Sequence, residues 1–342
     1  MHKKNRNRAL ILIKRVIIFT ALVLMGVFVL AFAAVKKTDT VDNKTTGVPG
    51  YRTTAAVELP ARIADAAPLR QVQSATSDSP PEAPVPFLAS LDFNRRELTP
   101  EIMEQYPNGK FVPRKIPNEV WTIGEHLEFE VTYSFYSAGT ATMSVLDIVS
   151  VNGGRCYHIQ TTARSNEFIS SFYKVRDTVN SYIDTIGIFS RRFEKMLREG
   201  RYKADRYVDF YPDRLIALNT RQNHALTEIP LYVQDILSSL YYIRTFDLEV
   251  GKNIKVVTYA DGKVYPLKVI IHKRENVTVP AGTFSCLKIE PILQSEGIFR
   301  QKGKLVIWVT DDRYKIPVKM ESKVMIGNIA TKLVSYQTGV AR

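Results

Sequence analysis

The side chains that could do chemistry are thinly spread along this chain, and their spacing decides what they can be. The five histidines, His2, His126, His158, His224 and His272, stand apart; none has a partner at the spacing that places two ligands on one zinc ion. Ser171-Phe172-Tyr173-Lys174 matches a Ser-x-x-Lys pattern, in which the amine would activate the hydroxyl. That chemistry needs both groups on successive turns of a helix, and the flanking sequence reads as loop entering strand. Asp205 and Asp209 share one face of a strand and Asp311-Asp312 lies at a strand end. Paired carboxyls do acid/base work only where their environments hold their pKa values apart, and Asp-rich turns or a solvated strand face do not do so. No Gly-x-Ser-x-Gly elbow, Gly-rich phosphate loop or dinucleotide fingerprint occurs. The expectation is a protein that is not an enzyme, with no catalytic residue, no metal site and no cofactor.

Binding chemistry has more material. Arg191, Arg192, Arg198, Arg201, Lys203 and Arg206 form a basic run with Tyr202 and Tyr207 interleaved. Such a run suits an anionic partner by charge and stacking, although in a strand alternate charges can simply face water. Phe168, Phe172, Tyr173, Tyr241, Tyr242 and Phe246 are candidates to line an apolar cavity for a lipophilic ligand, with a filled core as the alternative. Cys156 and Cys286 are the two cysteines; one disulfide and two buried free thiols both stay open, because the Cα separation that decides bridging is not written in the sequence.

The elements that must position these residues are mostly strands. In His126–Tyr136, Leu127, Phe129, Val131, Tyr133 and Phe135 share one face while Glu128, Glu130, Thr132 and Ser134 share the other, the alternation of a half-buried strand. Weaker versions recur over 140–151, 156–163, 174–184, 189–198, 202–211, 254–259, 264–274, 285–293, 304–310, 316–323 and 329–336, separated by turn signals such as Asn152-Gly153-Gly154 and Asp261-Gly262. One stretch has helical period instead. Val233, Ile236, Leu237, Leu240 and Tyr241 fall at i, i+3, i+4, i+7 and i+8, with Asp235 placed as N-cap. One helix among a dozen strands predicts a mainly β fold, a curved antiparallel sheet or open half-barrel wrapped around one amphipathic helix. A faint repeat runs through it: Gly154-Arg155-Cys156-Tyr157-His158-Ile159 is similar to Phe284-Ser285-Cys286-Leu287-Lys288-Ile289, and Tyr182-Ile183-Asp184 then answers to Trp308-Val309-Thr310-Asp311.

The N-terminal third has a different character. Val16–Val35 holds twenty consecutive residues without a charge, about the length that crosses a ~30 Å hydrocarbon core as a helix. Lys3, Lys4, Arg6, Arg8, Lys14 and Arg15 precede it, which keeps the N-terminus cytoplasmic and sends the remainder across. Ala31-Phe32-Ala33 also fits a signal-peptidase site, so cleaved signal and uncleaved anchor both place the bulk outside the cytoplasm. Residues 1–37 carry eight of the basic residues and no acid, so the formal charge of +13 falls to +5 without them. The basic excess is then largely a targeting feature, and nucleic acid is not an expected partner. Residues 38–113 are rich in Ala, Thr, Ser and Pro and read as a linker, with Leu91–Tyr106 apolar enough to dock as an arm or short helix. The expected order is a basic tail (1–15), a transmembrane anchor (16–35), the linker (38–113) and an exported β domain (114–342).

Several strings in that domain resemble one bacterial family. Phe172-Tyr173-Lys174-Val175-Arg176-Asp177, Ser181-Tyr182-Ile183-Asp184, Arg192-Phe193-Glu194-Lys195 and Leu197-Arg198-Glu199-Gly200 are followed by the helix Val233–Arg244, Asp261-Gly262-Lys263-Val264-Tyr265-Pro266-Leu267, Val279-Pro280-Ala281-Gly282-Thr283-Phe284 and Trp308-Val309-Thr310-Asp311-Asp312. In that order they are similar to the characteristic segments of domain of unknown function 3108 (DUF3108), over about residues 118–336. The resemblance implies an exported, strand-rich domain and carries over no catalytic residue. The Trp308 strand with Ile316-Pro317-Val318-Lys319 also resembles the periplasmic lipoprotein carriers and their outer-membrane acceptors, at the level of fold only. That second resemblance implies a lipid, acylated protein or glycolipid of the envelope as ligand. A protein or wall-polymer interaction domain is the alternative, and a hydrolase of envelope polymers the third.

Overall fold

A computed structural model of the chain describes residues 111–220, 225–293, 304–323 and 328–339. The apolar segment 16–35, the linker and the segment 91–106 lie outside the described residues, and among those described no helix is long and apolar enough to cross a membrane.

The sheet has fourteen strands, all pairing antiparallel: β1 (His126–Tyr133), β2 (Tyr136–Val151), β3 (Gly154–Ser165), β4 (Arg176–Asp184), β5 (Ser190–Glu199), β6 (Tyr202–Tyr211), β7 (Ile216–Asn219), β8 (Ala225–Glu228), β9 (Asn253–Ala260), β10 (Lys263–Val279), β11 (Gly282–Leu293), β12 (Lys304–Thr310), β13 (Pro317–Lys323) and β14 (Asn328–Gln337). Among the described residues two helices accompany it, α1 (Glu167–Ser170) and α2 (Ile236–Arg244). Each strand pairs with its neighbours in sequence, except that β1 joins β14 in the middle of the order and the sheet stays open between β8 and β9. Helix α2 packs on both β4 and β9, which lie far apart in that order, so the sheet curls around it. Arg206 on β6 reaches Asp261 in the β9–β10 turn at 3.7 Å, and Thr227 Oγ1 on β8 donates to the Gly262 carbonyl at 3.2 Å; the two open edges approach through side chains.

The alternating strands bury most of the residues the pattern marks, but β1 ends at Tyr133, and Phe135, expected on its buried face, stands in the β1–β2 turn 97% exposed because the chain reverses there. Leu127, Phe129 and Val131 are buried and join Ile159, Val179, Ile183, Phe193, Leu237, Leu240, Tyr241 and Val269 in one apolar core between sheet and helix. Asp235 caps α2 as its position predicts, accepting from the Leu237 and Ser238 amides at 2.8 Å and from the Ser181 and Ser190 hydroxyls at 2.6 Å. Strands β7 and β8 have no counterpart in the sequence reading; at four residues each they are too short for alternation to register.

The faint repeat is real and longer than the sequence shows. Gly124 and Gly251 both have positive φ, 87° and 86°, and precede β1 and β9. In the first half the Gly124 N–H donates to the Val145 carbonyl and Val145 N–H to that of Glu125; in the second Gly251 bonds Ile271 and Ile271 bonds Lys252 in the same way. The long strands bulge at equivalent places, Val145/Asp147 and Ile271/Lys273. Cys156 faces Asp184 in register as Cys286 faces Thr310, and the next residues, Thr185 and Asp311, donate to Arg155 and Ser285. Generic hairpins share turns but not the same bulge, bridge and left-handed residue in sequence, so β1–β4 and β9–β12 repeat one strand unit.

Candidate functional site

A cleft of about 670 Å³ opens at the end of the sheet where the N-terminal arm arrives. Its walls are the β2–β3 turn (Asn152, Gly153, Gly154, Arg155), the loop after β4 (Asp184, Thr185, Ile186), the β6–β7 turn (Tyr211 to Arg214) and the arm residues Phe111 and Pro113. The floor is a buried ion pair. Arg191 Nε donates to Asp184 Oδ2 at 2.7 Å and Nη1 to the Asn152 carbonyl at 3.0 Å, while Asp184 Oδ1 accepts from the Ile186 and Gly187 amides at 3.0 and 2.8 Å. A Cβ on Gly154 would lie 2.2 Å from Arg191 Nε, so this approach of turn to guanidinium needs glycine. The arm is pinned beside it: Arg114 Nε donates to the Gly187 carbonyl at 2.9 Å, its guanidinium lies over the Tyr232 and Tyr242 rings, and Phe111 meets Phe189 edge-on. Phe111 and Pro113, read from composition as linker, therefore belong to the folded body.

Behind the floor, the sheet face opposite α2 carries a cross-strand polar ladder. His158 stacks on Tyr182 with centroids 4.6 Å apart and bonds Asn180 Oδ1 at 3.0 Å. Asn180 donates to Glu194 Oε2 at 3.0 Å, and Arg192 Nε donates to Asp209 Oδ1 at 2.7 Å. Asn152 Nδ2 contacts both Asp209 Oδ1 (2.9 Å) and the Arg191 carbonyl (3.0 Å), tying ladder to cleft. Burial pushes the Glu194 carboxyl up, against the hydrogen bond from Asn180.

The basic run read between Arg191 and Arg206 is not one cationic face. Arg191 and Arg192 are buried against Asp184 and Asp209, Arg198 is bidentate to Asp205 at 2.6 and 3.1 Å, and Arg206 faces Asp261; Arg201 and Lys203 stay exposed. A run of cations sums both faces of a strand, and here the register sets acids opposite them. The same pairs correct the expectation of solvated aspartates, since Asp209 is 2% exposed. Asp311 pairs with Arg274, and Asp312 Oδ1 accepts from Thr310 Oγ1 and the Tyr314 and Lys315 amides, so both serve a turn. Ser171 closes α1, with its hydroxyl donating to the Phe168 carbonyl at 2.7 Å, and Lys174 lies beyond the helix, so the Ser-x-x-Lys pair shares no helix.

The six aromatics expected around one cavity fall into separate places. Phe168 and Phe172 are exposed on α1 and the residues after it, Tyr173 is buried against Gly200, Tyr241 is in the core beneath Trp121, and Tyr242 packs on Phe246. None of them lines the cleft or the smaller cavity of about 20 Å³ between Lys195, Ile236 and Tyr259. Cys156 and Cys286 are free and buried, on strands six places apart in the sheet order, and burial pushes both thiols up to about 12. Both are expected to resist a maleimide at pH 7 in the folded protein and to react once it is denatured; fast labelling of the native chain would contradict their placement. Among the described residues no group of three His, Cys, Asp or Glu side chains is placed to hold a metal.

Two further carboxyls escaped the sequence reading because they sit on the core face of their strands. Asp177 and Glu199, both 1% exposed, lie diagonally across β4 and β5. Burial and the neighbouring Asp177 push Glu199 up to about 8, and burial raises Asp177 against a 2.6 Å hydrogen bond from the Arg198 amide.

The family model described as "Protein of unknown function (DUF3108)" matches residues 128–334, well over half the chain. The chain belongs to this family. No curated protein matches it. Among solved structures, this DUF3108 protein is similar to a β-barrel-like protein of domain of unknown function DUF1849 from Brucella abortus, at 9% identity and a TM-score of 0.46, covering 65% of this chain and all of that one. It is also similar to a Bacteroides fragilis protein with a YmcC-like fold, at 13% identity and a TM-score of 0.31, covering 66% of this chain and all of that one.

Proposed function

We propose that this DUF3108 protein is a non-enzymatic binding module of the bacterial cell envelope, tethered to the inner membrane by residues 16–35 with its β domain on the periplasmic side, and that its cleft takes a segment of acidic wall glycan. The observation that carries this reading is the cleft. At about 670 Å³ it falls in the range of small-ligand sites, and its walls combine apolar and aromatic surface with charged side chains. Arg155 and Arg214 on its walls suit carboxylates, Arg214 beside Asp213 at 3.7 Å, and Phe111 and Tyr211 add aromatic rings for sugars. The Arg191–Asp184 floor is fixed by hydrogen bonds on every side, so the site is pre-organised. The space between sheet and α2, where an enclosed acyl chain would go, is instead filled by the core, which favours the wall-polymer alternative over an interior lipid pocket.

Purified sacculi are expected to capture the full-length protein, and the double variant Arg155→Glu/Arg214→Glu to cut capture at least about tenfold, as for losing two charge-assisted contacts. Capture unchanged by the double reversal would remove the cleft from the reading, and no capture of the wild type would remove the glycan.

A further inference from the structure

Four of the exposed aromatic side chains gather at the end of the sheet opposite the cleft. Phe135 is 97% exposed, Tyr136 75%, Phe168 73% and Phe172 49%. Phe135 and Tyr136 form the tip of the β1–β2 hairpin, where Tyr133 pairs with Tyr136. Phe168 and Phe172 meet edge-on with centroids 5.6 Å apart. The two tips are held side by side: the Asn166 side chain caps α1 through the Ile169 amide and donates to the Ser137 carbonyl at 2.8 Å, and the Asn166 N–H donates to Ala138 at 3.0 Å. The β5–β6 turn is stitched on next, with the Gly200 N–H donating to the Lys174 carbonyl at 2.8 Å. Rings on turns this well bonded are displayed rather than frayed.

The exposed charges around them are mostly positive. Within 164–176 and 200–203 the exposed cations are Arg164, Lys174, Arg176, Arg201 and Lys203, against the single acid Glu167. Four rings in water, gathered at one place, mark an interaction surface rather than ordinary surface. They stand at the β1–β2 turn and around α1, on the ends of turns, so a protein partner would have to supply the concavity. A bilayer asks for none. Its headgroup layer accepts amphipathic rings, and cations set behind them face anionic lipid.

We propose that this end of the sheet, through Phe135, Tyr136, Phe168 and Phe172 and the cations behind them, docks on the surface of an anionic lipid bilayer. The arm at Phe111 and Arg114 packs at the other end, so the domain presents its lipid-facing tip away from the point where the N-terminal chain joins it.

The two native thiols are buried, so a thiol introduced as Phe168→Cys takes an environment-sensitive nitrobenzoxadiazole label alone. Full-length protein carrying it is mixed with phosphatidylethanolamine/phosphatidylglycerol vesicles containing nitroxide lipid. The label is expected to shift to the blue and be quenched, while the same label at Ile186→Cys, in the cleft at the opposite end, stays in water. Adding Phe135→Ser/Phe172→Ser is expected to weaken the response about tenfold, as for withdrawing two rings from the interface. A label at position 168 that stays in water overturns the proposal. So does an equal response in phosphatidylcholine vesicles, an equal response at position 186, or shielding that tracks protein concentration without lipid, which would assign the tip to a second copy. Tyr136→Cys repeats the measurement on the other hairpin if Phe168→Cys fails to fold.

Discussion

Arg244→Ala is expected to lower the melting temperature by about 10 °C, a loss of roughly 3–5 kcal/mol for a buried charge left without its partner in a domain of this size. Arg244 and Glu125 are each about 1% exposed at the side chain. The guanidinium donates twice to the carboxylate, at 2.8 and 2.6 Å, and to the Tyr314 carbonyl at 3.2 and 3.0 Å. This places β1, α2 and the β12–β13 loop on one guanidinium, and removing it strands the Glu125 charge in the core. The double variant Glu125→Leu/Arg244→Met removes both charges together and is expected to recover most of the loss, because a well-packed apolar pair replaces a buried ion pair at little cost. Thermal denaturation of the three proteins decides it: a single variant within a degree or two of wild type would mean that the pair is not desolvated as described. In the second copy of the repeat the position of Glu125 is held by Lys252, which is exposed and pairs with the exposed Glu249, so the buried tie belongs to the first half.

The second large effect is a dependence on pH. Burial and the neighbouring Asp177 push Glu199 up to about 8 in the folded protein, against roughly 4.3 in an unfolded chain. Its folded pKa is the higher, so the stability it contributes is fully present below about pH 4 and is lost as the pH rises through 8. Between those limits the unfolded chain releases a proton that the folded one keeps. The groups that face it are Asp177 on β4, Lys195 on β5 and Tyr173 above Gly200, and Lys195, its own pKa lowered by burial, offsets the second negative charge only in part. Urea titrations at pH 5 and pH 9 are expected to show the wild type losing on the order of 2 kcal/mol more than Glu199→Gln. Parallel losses in the two proteins would show that Glu199 ionises freely in the fold.

Much of the fold was legible in the residues, for reasons that also mark where legibility stopped. Strands such as β1 declare themselves because one face is apolar and the other wet, and α2 because Asp235 supplies a cap where the period changes. The β1–β14 junction and strands β7 and β8 depend on pairings between distant or very short segments, which no local pattern encodes. The site was read less well than the fold. Arg191, Arg192 and Asp209 look like surface charges in a sequence, and only the register of β4, β5 and β6 shows each facing its counter-ion. Phe168 and Tyr241 are equally aromatic in the sequence; one stands in solvent and the other is sealed under Trp121. The cleft is built from turn residues, Asn152 to Arg155 and Tyr211 to Arg214, whose types announce only that the chain reverses there.

The place of β1 in the sheet order has a mechanical meaning. A pull arriving along the chain from its N-terminal side meets first the Arg114 clamp on Gly187 and Ile188 and then β1, which lies in the interior of the sheet with β2 on one flank and β14 on the other. An edge strand would peel, one bond after another. β1 can leave only by sliding past two neighbours at once, with both hydrogen-bond ladders loaded in parallel, so the domain is built to carry tension that arrives from its N-terminal side.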